Sequence, residues 1–455
     1  MASLRFRSCA STSVFLAQLG LMACGGGAAP ERVDPAGGGG KTSGSAGAPV
    51  AGGAGGSGQT PSGGAATASM AGAANSSGGA VASGGVASTS GGALSGGGTA
   101  PATGGAGNGA GAPETIPLGY GQHTTGGGKV KATSAATLDE LQAAVDDYSG
   151  SGGLVLKYTG KFEFSKISDP CVQHTLPGHA LQIKGKSDIT LEGDDGSAAN
   201  FGVHVAGDSS NVIIRNMTIG LTPGGDDSDI VSLEGTSAGV PHDIWIDHNE
   251  FFTSMAECEG AGDTAFDGMI DVKKGADNVS VSYNYLHDHH KLSLNGYSDT
   301  DDAVRHITFD HNFFENLGSR TPLQRHGFAH LLNNYFSKVT VSGINVRMGG
   351  YALVEANYFE TVENPVTARD SSEVGFWELR GNNLATAADV APGNGFGITW
   401  SAGNAGTVNA TDWKTTAAYP EALGYDYQAQ SFQCVHDGLR ATVGASKGLP
   451  TLKCK

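Results

Sequence analysis

From about residue 189 the apolar positions come in short bursts. Alternating β-branched or aromatic residues close on an asparagine, and an apolar pair follows. The segments read NVIIRN to Asn216, DIWIDHN to Asn249, NVSVSYN to Asn284, HITFDHN to Asn312, HLLNN to Asn334, ALVEAN to Asn357 and FWELRGN to Asn382. Most carry a hydrophobe two residues on: Phe251, Leu286, Phe314, Phe336, Phe359 and Leu384. The intervals are 33, 35, 28, 22, 23 and 25 residues, so the basic repeat is near the shortest and the others hold insertions. A unit of that length, made of short strands, cannot bury its apolar face alone. Stacked copies bury it together, which predicts an all-β solenoid, a parallel β-helix. Asparagine at one corner of each turn can stack its amides into a ladder. An antiparallel sandwich with asparagines in its turns is the alternative pattern, and seven repeats in phase argue against it. The stretch TLDELQAAVDDY at 137–148 predicts an N-terminal helix able to cap one end.

Insertions in a solenoid become long loops on one face, often the binding face. The two longest intervals hold the unusual acidic residues. Asp227 and Asp229 are two apart and point the same way on a strand. In FDGMIDVKK, Asp267, Asp271 and Lys273 lie at even offsets, leaving Gly268, Ile270 and Val272 for the core. Stacking would bring four carboxylates together, which is costly without a counter-ion. An all-oxygen set points to calcium rather than zinc, the other reading being a solvated acidic strand face. Basic residues follow in the next turns: Lys291, then Arg320 and Arg325 around Pro322, then Arg347. Calcium beside a column of Lys and Arg suits a chain of carboxylates.

Charge is uneven along the chain. The protein has 455 residues, 73 of them glycine, and a formal charge of −17, yet residues 42–113 carry no charge at all. Residues 114–455 hold 23 basic and 42 acidic groups. So acidic a domain is a poor nucleic-acid binder, and it would repel an acidic polymer unless a cation intervened. Arg5 and Arg7 precede an apolar stretch at 13–23 that is too short to span a bilayer and reads as an export signal, residues 1–24. LMAC at 21–24 resembles the bacterial lipobox, with Cys24 the lipidated residue; an ordinary signal cut near Ala23 is the alternative. Residues 25–113 are Gly/Ala/Ser-rich and predict a disordered linker, since they cannot bury enough surface to offset ordering. Cys171, Cys258, Cys434 and Cys454 remain for two disulfides, which the sequence alone can pair in three ways.

The motifs together resemble the pectate lyase superfamily, in particular the extracellular pectate lyases of polysaccharide lyase family 1, pectate lyase C-like. The marks are WIDHNEFF at 245–252, FDGMIDVKKG, VSYNYLHDHHK, and RTPLQRHG followed by HLLNNYF. ANFGVHV near residue 200, VRMGG at 346–350 and NPVTAR at 364–369 add to them. The resemblance runs from about Gly119 to the C-terminus. It implies a right-handed β-helix, with calcium bound by Asp227, Asp229, Asp267 and Asp271. Asp267 stands where the family often has glutamate. Lys291 matches the lysine on the substrate carboxylate, Arg320 the catalytic base and Arg325 the second arginine of RxPxxR. Lys273 and Arg347 match substrate-binding positions. The implied disulfides are Cys171–Cys258 and Cys434–Cys454.

The implied reaction is calcium-dependent β-elimination of α-1,4-linked polygalacturonate. A base takes the C5 proton, the C4–O bond breaks, and the product carries a 4,5-double bond. Arginine normally stays protonated, although cationic surroundings favour its neutral form. His289 and His290 are therefore rival bases. His248 and His311 read as packing residues at the repeat corner. Competing functions are a pectin lyase acting on methyl-esterified polymer, a polygalacturonase, and a non-catalytic, calcium-dependent β-helix that binds acidic glycans. A polygalacturonase needs paired carboxylates flanking the bond and has no use for RTPLQR. The expected protein is a monomer exported from a bacterium. It binds no nucleic acid and touches membrane only through an N-terminal lipid anchor.

Overall fold

The computed structural model describes residues 109–173, 180–222, 228–262, 265–384, 395–399, 401, 418–445 and 448–454. Cys24, the expected signal, nearly all of the expected linker, and Asp227 lie outside the described residues.

Within them, short parallel strands stack into three sheets of ten, six and eight strands. Successive turns pair with one another in order, as in a parallel β-helix, and the coil is right-handed. In the ten-stranded sheet Ser210–Arg215, His242–Asp247, Asp277–Ser282, His306–Asp310, Phe328–Leu332, Tyr351–Glu355 and Phe376–Arg380 are consecutive neighbours. The six hydrophobes expected after the corner are all fully buried. The rings of Phe314, Phe336 and Phe359 stack at 4.7 Å between neighbours. Removing one such ring costs about 3–5 kcal/mol, because the turns above and below cannot collapse into the gap.

The asparagine ladder is present from Asn249 to Asn382. Each Nδ2 donates to the next Oδ1 at 2.9–3.0 Å through Asn284, Asn312, Asn334 and Asn357. Asn216 is not its first rung. The backbone of Met217 donates to Asn249 Oδ1, so the ladder column passes through Met217 and Asn216 sits one place earlier. That earlier column is left-handed at every turn: Asn216, His248, Tyr283, His311, Asn333 and Ala356 all have φ between 50° and 55°. Asparagine tolerates this conformation better than most residues, so the Asn216 assignment followed the residue type rather than the register. His248 and His311 pack in the same column, stacked on either face of Tyr283 at 4.8 and 4.7 Å.

The helix Leu138–Asp147 caps the N-terminal end and buries Leu141 and Val145. Thr137 accepts from Glu140 N at 3.2 Å, as an N-cap should. Gly109–Gly111, five residues ahead of the expected domain start, forms a strand antiparallel to Thr451–Lys453. Backbone pairing needs no side chain, so composition gave no sign of it. Both disulfides pair as the resemblance implied, Cys171–Cys258 and Cys434–Cys454. The second ties the helix Phe432–Gly438 over the aromatic row Tyr283, Phe313, Tyr335 and Tyr358.

Candidate active site

The eight-stranded sheet carries the candidate residues. Its strands Val231–Glu234, Ile270–Lys273, Leu294–Asn295, Leu323–Arg325 and Ile344–Arg347 lie side by side in parallel register. Lys273 pairs with Glu234, Arg325 with Arg347, and Gly296 falls between Lys273 and Arg325 by continuation of the same rows. Period-two alternation turns Val272 and Val346 into the core, so this row faces out.

The alternation expected through FDGMIDVKK fails at one point. Met269 and Ile270 are both in the core, and Gly268 is turned outward. A Cβ on Gly268 would lie 2.4 Å from Asp271 Oδ1 and 2.9 Å from Asp229 Oδ1. Glycine is needed here because two carboxylate oxygens converge where a side chain would stand. Asp271 Oδ1 accepts from Leu294 N at 2.9 Å, and Asp229 Oδ2 pairs with Lys273 Nζ at 2.7 Å. Asp229 Oδ1 is buried with no hydrogen-bond partner among the described residues.

The electrostatics show the strain of that convergence. Burial pushes the Asp229 carboxyl up to about 6, with Asp267 adding to the shift and Lys273 opposing it. Burial and then Asp229 push Asp271 well above the ordinary carboxylate range. Lys273 is buried too, but Asp229 and Asp271 hold its ammonium charged more firmly than usual. One ammonium against this set leaves negative charge uncompensated. Among the described residues no group of three or more His, Cys, Asp or Glu forms a metal cage, and Asp227 is outside them. The residues present nevertheless fit a hard divalent cation: an orphaned buried oxygen, a second oxygen beside it, and a glycine that lets the two converge.

The basic side follows along the axis. Arg325 gives Nε to Asp299 Oδ1 and Nη1 to the Gly296 carbonyl, both at 2.9 Å. Arg347 is pushed down to about 10 by burial and by Arg325, with Arg320 acting in the same sense. Lys291 ends the strand Tyr285–Lys291 opposite Ser319, so it and Arg320 meet at the border between two sheets. Arg320 holds φ at 62°, and its carbonyl accepts from Ser293 N at 3.0 Å.

The pectate lyase family model matches residues 63–448. The chain belongs to the pectate lyase family. Pectate lyase 2 of Pectobacterium carotovorum is 41% identical over 354 residues, covering 73% of this chain and 91% of that protein. Among solved structures, pectate lyase II from Xanthomonas campestris pv. campestris is 52% identical with a TM-score of 0.68, covering 73% of this chain and 99% of its own. Pectate Lyase C from Erwinia chrysanthemi, solved at pH 9.5 with 30 mM Ca²⁺, is 37% identical with a TM-score of 0.68, covering 75% and 99%. A variant of Pectate Lyase C in complex with pentagalacturonic acid is 36% identical with a TM-score of 0.66, at the same coverage.

In this member of the family His289 is unsuited to act as a base. Thr253 Oγ1 lies 2.6 Å from its Nδ1 and the Lys291 carbonyl 2.9 Å from its Nε2, so both ring nitrogens are engaged. Burial lowers it to about 3, and His290, Arg320 and Lys291 act in the same direction. Its role is to hold the backbone of Lys291. His290 keeps a buried Nε2 without a hydrogen-bond partner among the described residues. Sequence reasoning passed over Gly268, Asp299, Asp301 and Arg305. Strand alternation predicts Gly268 in the core, and the others lie in an insertion with no periodic signal.

Proposed function

We propose that this protein is a calcium-dependent pectate lyase cleaving α-1,4-linked polygalacturonate by β-elimination. The observation that carries the reading is the outward face of one sheet. There the convergent oxygens of Asp229 and Asp271 adjoin Lys273, Arg325 and Arg347 in neighbouring turns. Asp227, Asp229, Asp267 and Asp271 would hold the cation, which when bound neutralises a uronate carboxylate and so acidifies the proton α to it.

The chain's own groups do the rest. Lys273, Lys291, Arg325 and Arg347 bind and orient the carboxylates of successive sugars. The Asp299 and Gly296 contacts fix the Arg325 fork. Arg320 takes the proton from C5, the electron pair forms the 4,5-double bond, and the C4–O bond breaks with its oxygen leaving to be protonated. No water is consumed. Arg320 is held by its left-handed backbone and by the Ser293 N–H on its carbonyl.

The same reading takes residues 1–24 as a lipoprotein-type export signal, with Cys24 as the lipid anchor. Residues 25–113 are then a linker and 114–455 the catalytic domain. The protein is a monomer on the outer membrane or cell surface of a bacterium. Support for this part comes from the sequence alone. Among the described residues no helix is long and apolar enough to cross a membrane.

The test is ultraviolet absorbance of unsaturated uronides released from polygalacturonate. A calcium-dependent rise, reversed by chelator and abolished in Arg320→Ala, is the expected result. A flat trace from folded protein that still binds the polymer would leave a binding β-helix instead.

A further inference from the structure

Arg305 is the one arginine among the largest fully buried side chains of the described residues, and no step of the proposed reaction uses it. It ends the insertion that follows Asn295. Its Nη2 pairs with Asp301 Oδ1 at 2.7 Å and also donates to the Asp301 carbonyl at 3.2 Å. Its Nη1 donates to the Arg325 carbonyl at 2.9 Å. Its Nε is buried with no hydrogen-bond partner among the described residues. Asp301 is engaged through both oxygens. Its Oδ2 accepts from Lys274 N at 2.9 Å and from Tyr297 N at 3.1 Å.

One ion pair therefore touches the backbone of three successive turns, beside Lys273, beside Gly296 and at Arg325. These are consecutive members of the outward row. The fit is close. A Cβ on Gly296 would come within 2.7 Å of Arg305 Nη1 and 3.1 Å of Arg325 Cβ. Burying two charges costs several kcal/mol in desolvation, and an apolar pair of equal volume usually stabilises a fold as well or better. Stability alone does not explain the pair. What an apolar pair could not supply is a set of directed bonds to these particular backbone groups.

We propose that Asp301 and Arg305 form a positioning strut that sets where the Arg325 guanidinium stands along the substrate groove. The inference rests on Arg325 contacting substrate, as argued above. The strut fixes main chain at Lys274 and Arg325, while Asp299 fixes the side chain of Arg325 from the other end. A misplacement of about 1 Å at such a group can cost on the order of 100-fold in rate.

The experiment is a double-mutant cycle on kcat/KM for polygalacturonate. Asp301→Leu with Arg305→Met replaces the pair without stranding a charge, and it is combined with Arg325→Lys. In the parent background the exchange should lower kcat/KM by on the order of 100-fold in protein that remains folded at the assay temperature. In the Arg325→Lys background it should cost under about threefold, because the group being positioned is already lost. Equal losses in both backgrounds would mean the pair acts on the fold at large and would overturn the strut. A folded exchange with full parent activity would overturn it as well. If the apolar exchange does not fold, Arg305→Lys serves in the same cycle. It keeps the charge but cannot reach Asp301 and the Arg325 carbonyl together, so the same non-additivity is expected. Full activity in Arg325→Lys alone would refute the reading of the site, and the strut with it. Reduced activity there with additive losses would remove the strut only.

Discussion

The carboxylates of the proposed calcium site close in on Gly268 where a side chain would stand, so Gly268→Ala is the sharpest test of it. Gly268 does not adopt a positive φ, so alanine meets no backbone penalty. Its methyl would stand 2.4 Å from Asp271 Oδ1 and 2.9 Å from Asp229 Oδ1, where ordinary contact begins at 3.4 Å. Asp271 Oδ1 must then retreat by about 1 Å and Asp229 Oδ1 by about 0.5 Å. Calcium accepts oxygen only over a window of about 2.3–2.6 Å, so both ligands leave their places. Asp271 also gives up geometry at its 2.9 Å bond from Leu294 N. We expect calcium affinity to fall by on the order of 100-fold, about 2.7 kcal/mol. The protein should stay folded, because the displaced atoms lie on the outward face. Isothermal titration with calcium reads the affinity, and melting with and without calcium separates lost binding from lost fold. Asp271→Asn provides the comparison, since it removes a charge from the same place. A folded Gly268→Ala protein that binds calcium as tightly as the parent would refute the site.

Three further outcomes follow from buried groups away from that site. Asn312→Ala removes a residue that accepts from Asn284 N and Nδ2 and donates to the Val281 carbonyl and Asn334 Oδ1. Stranding those partners should cost about 3 kcal/mol or more in a denaturant melt, and a loss under about 1 kcal/mol would count against the ladder as a source of stability. His289 is lowered from 6.5 to about 3, so its contribution is fully present above pH 6.5 and is lost as pH falls toward 3. The total is on the order of 4 kcal/mol, and in His289→Gln the pH dependence of stability over that window should flatten. Glu114 is raised from 4.5 to about 8, by burial first and then by Asp310, so its contribution is present below pH 4.5 and is lost as pH rises through 8. Glu114→Gln should match the parent at pH 4 and be about 4 kcal/mol more stable at pH 9; equal melting at pH 9 would contradict the assignment.

What the sequence made legible divides along a physical line. Periodic features were readable because each repeat imposes the same packing demand. The corner asparagines and the hydrophobes after them had to recur, and Phe314, Phe336 and Phe359 stack where the spacing put them. Register within a turn was not equally readable. At Asn216 the residue type fits either of two adjacent columns, the left-handed corner or the ladder, and only the strand pairing separates them. At Gly268 the alternation rule gave way because a local shift sends both Met269 and Ile270 inward. That shift frees the glycine to face the carboxylates. The irregular position, two residues ahead of the strand Ile270–Lys273, is thus the one that shapes the proposed site. The insertion carrying Asp299, Asp301 and Arg305 shows the same principle at larger scale. Its residues answer to no repeat, so no pattern foretells that a buried arginine there would reach the main chain of Arg325. In a solenoid the repeats make the surface, and the departures from them place the chemistry on it.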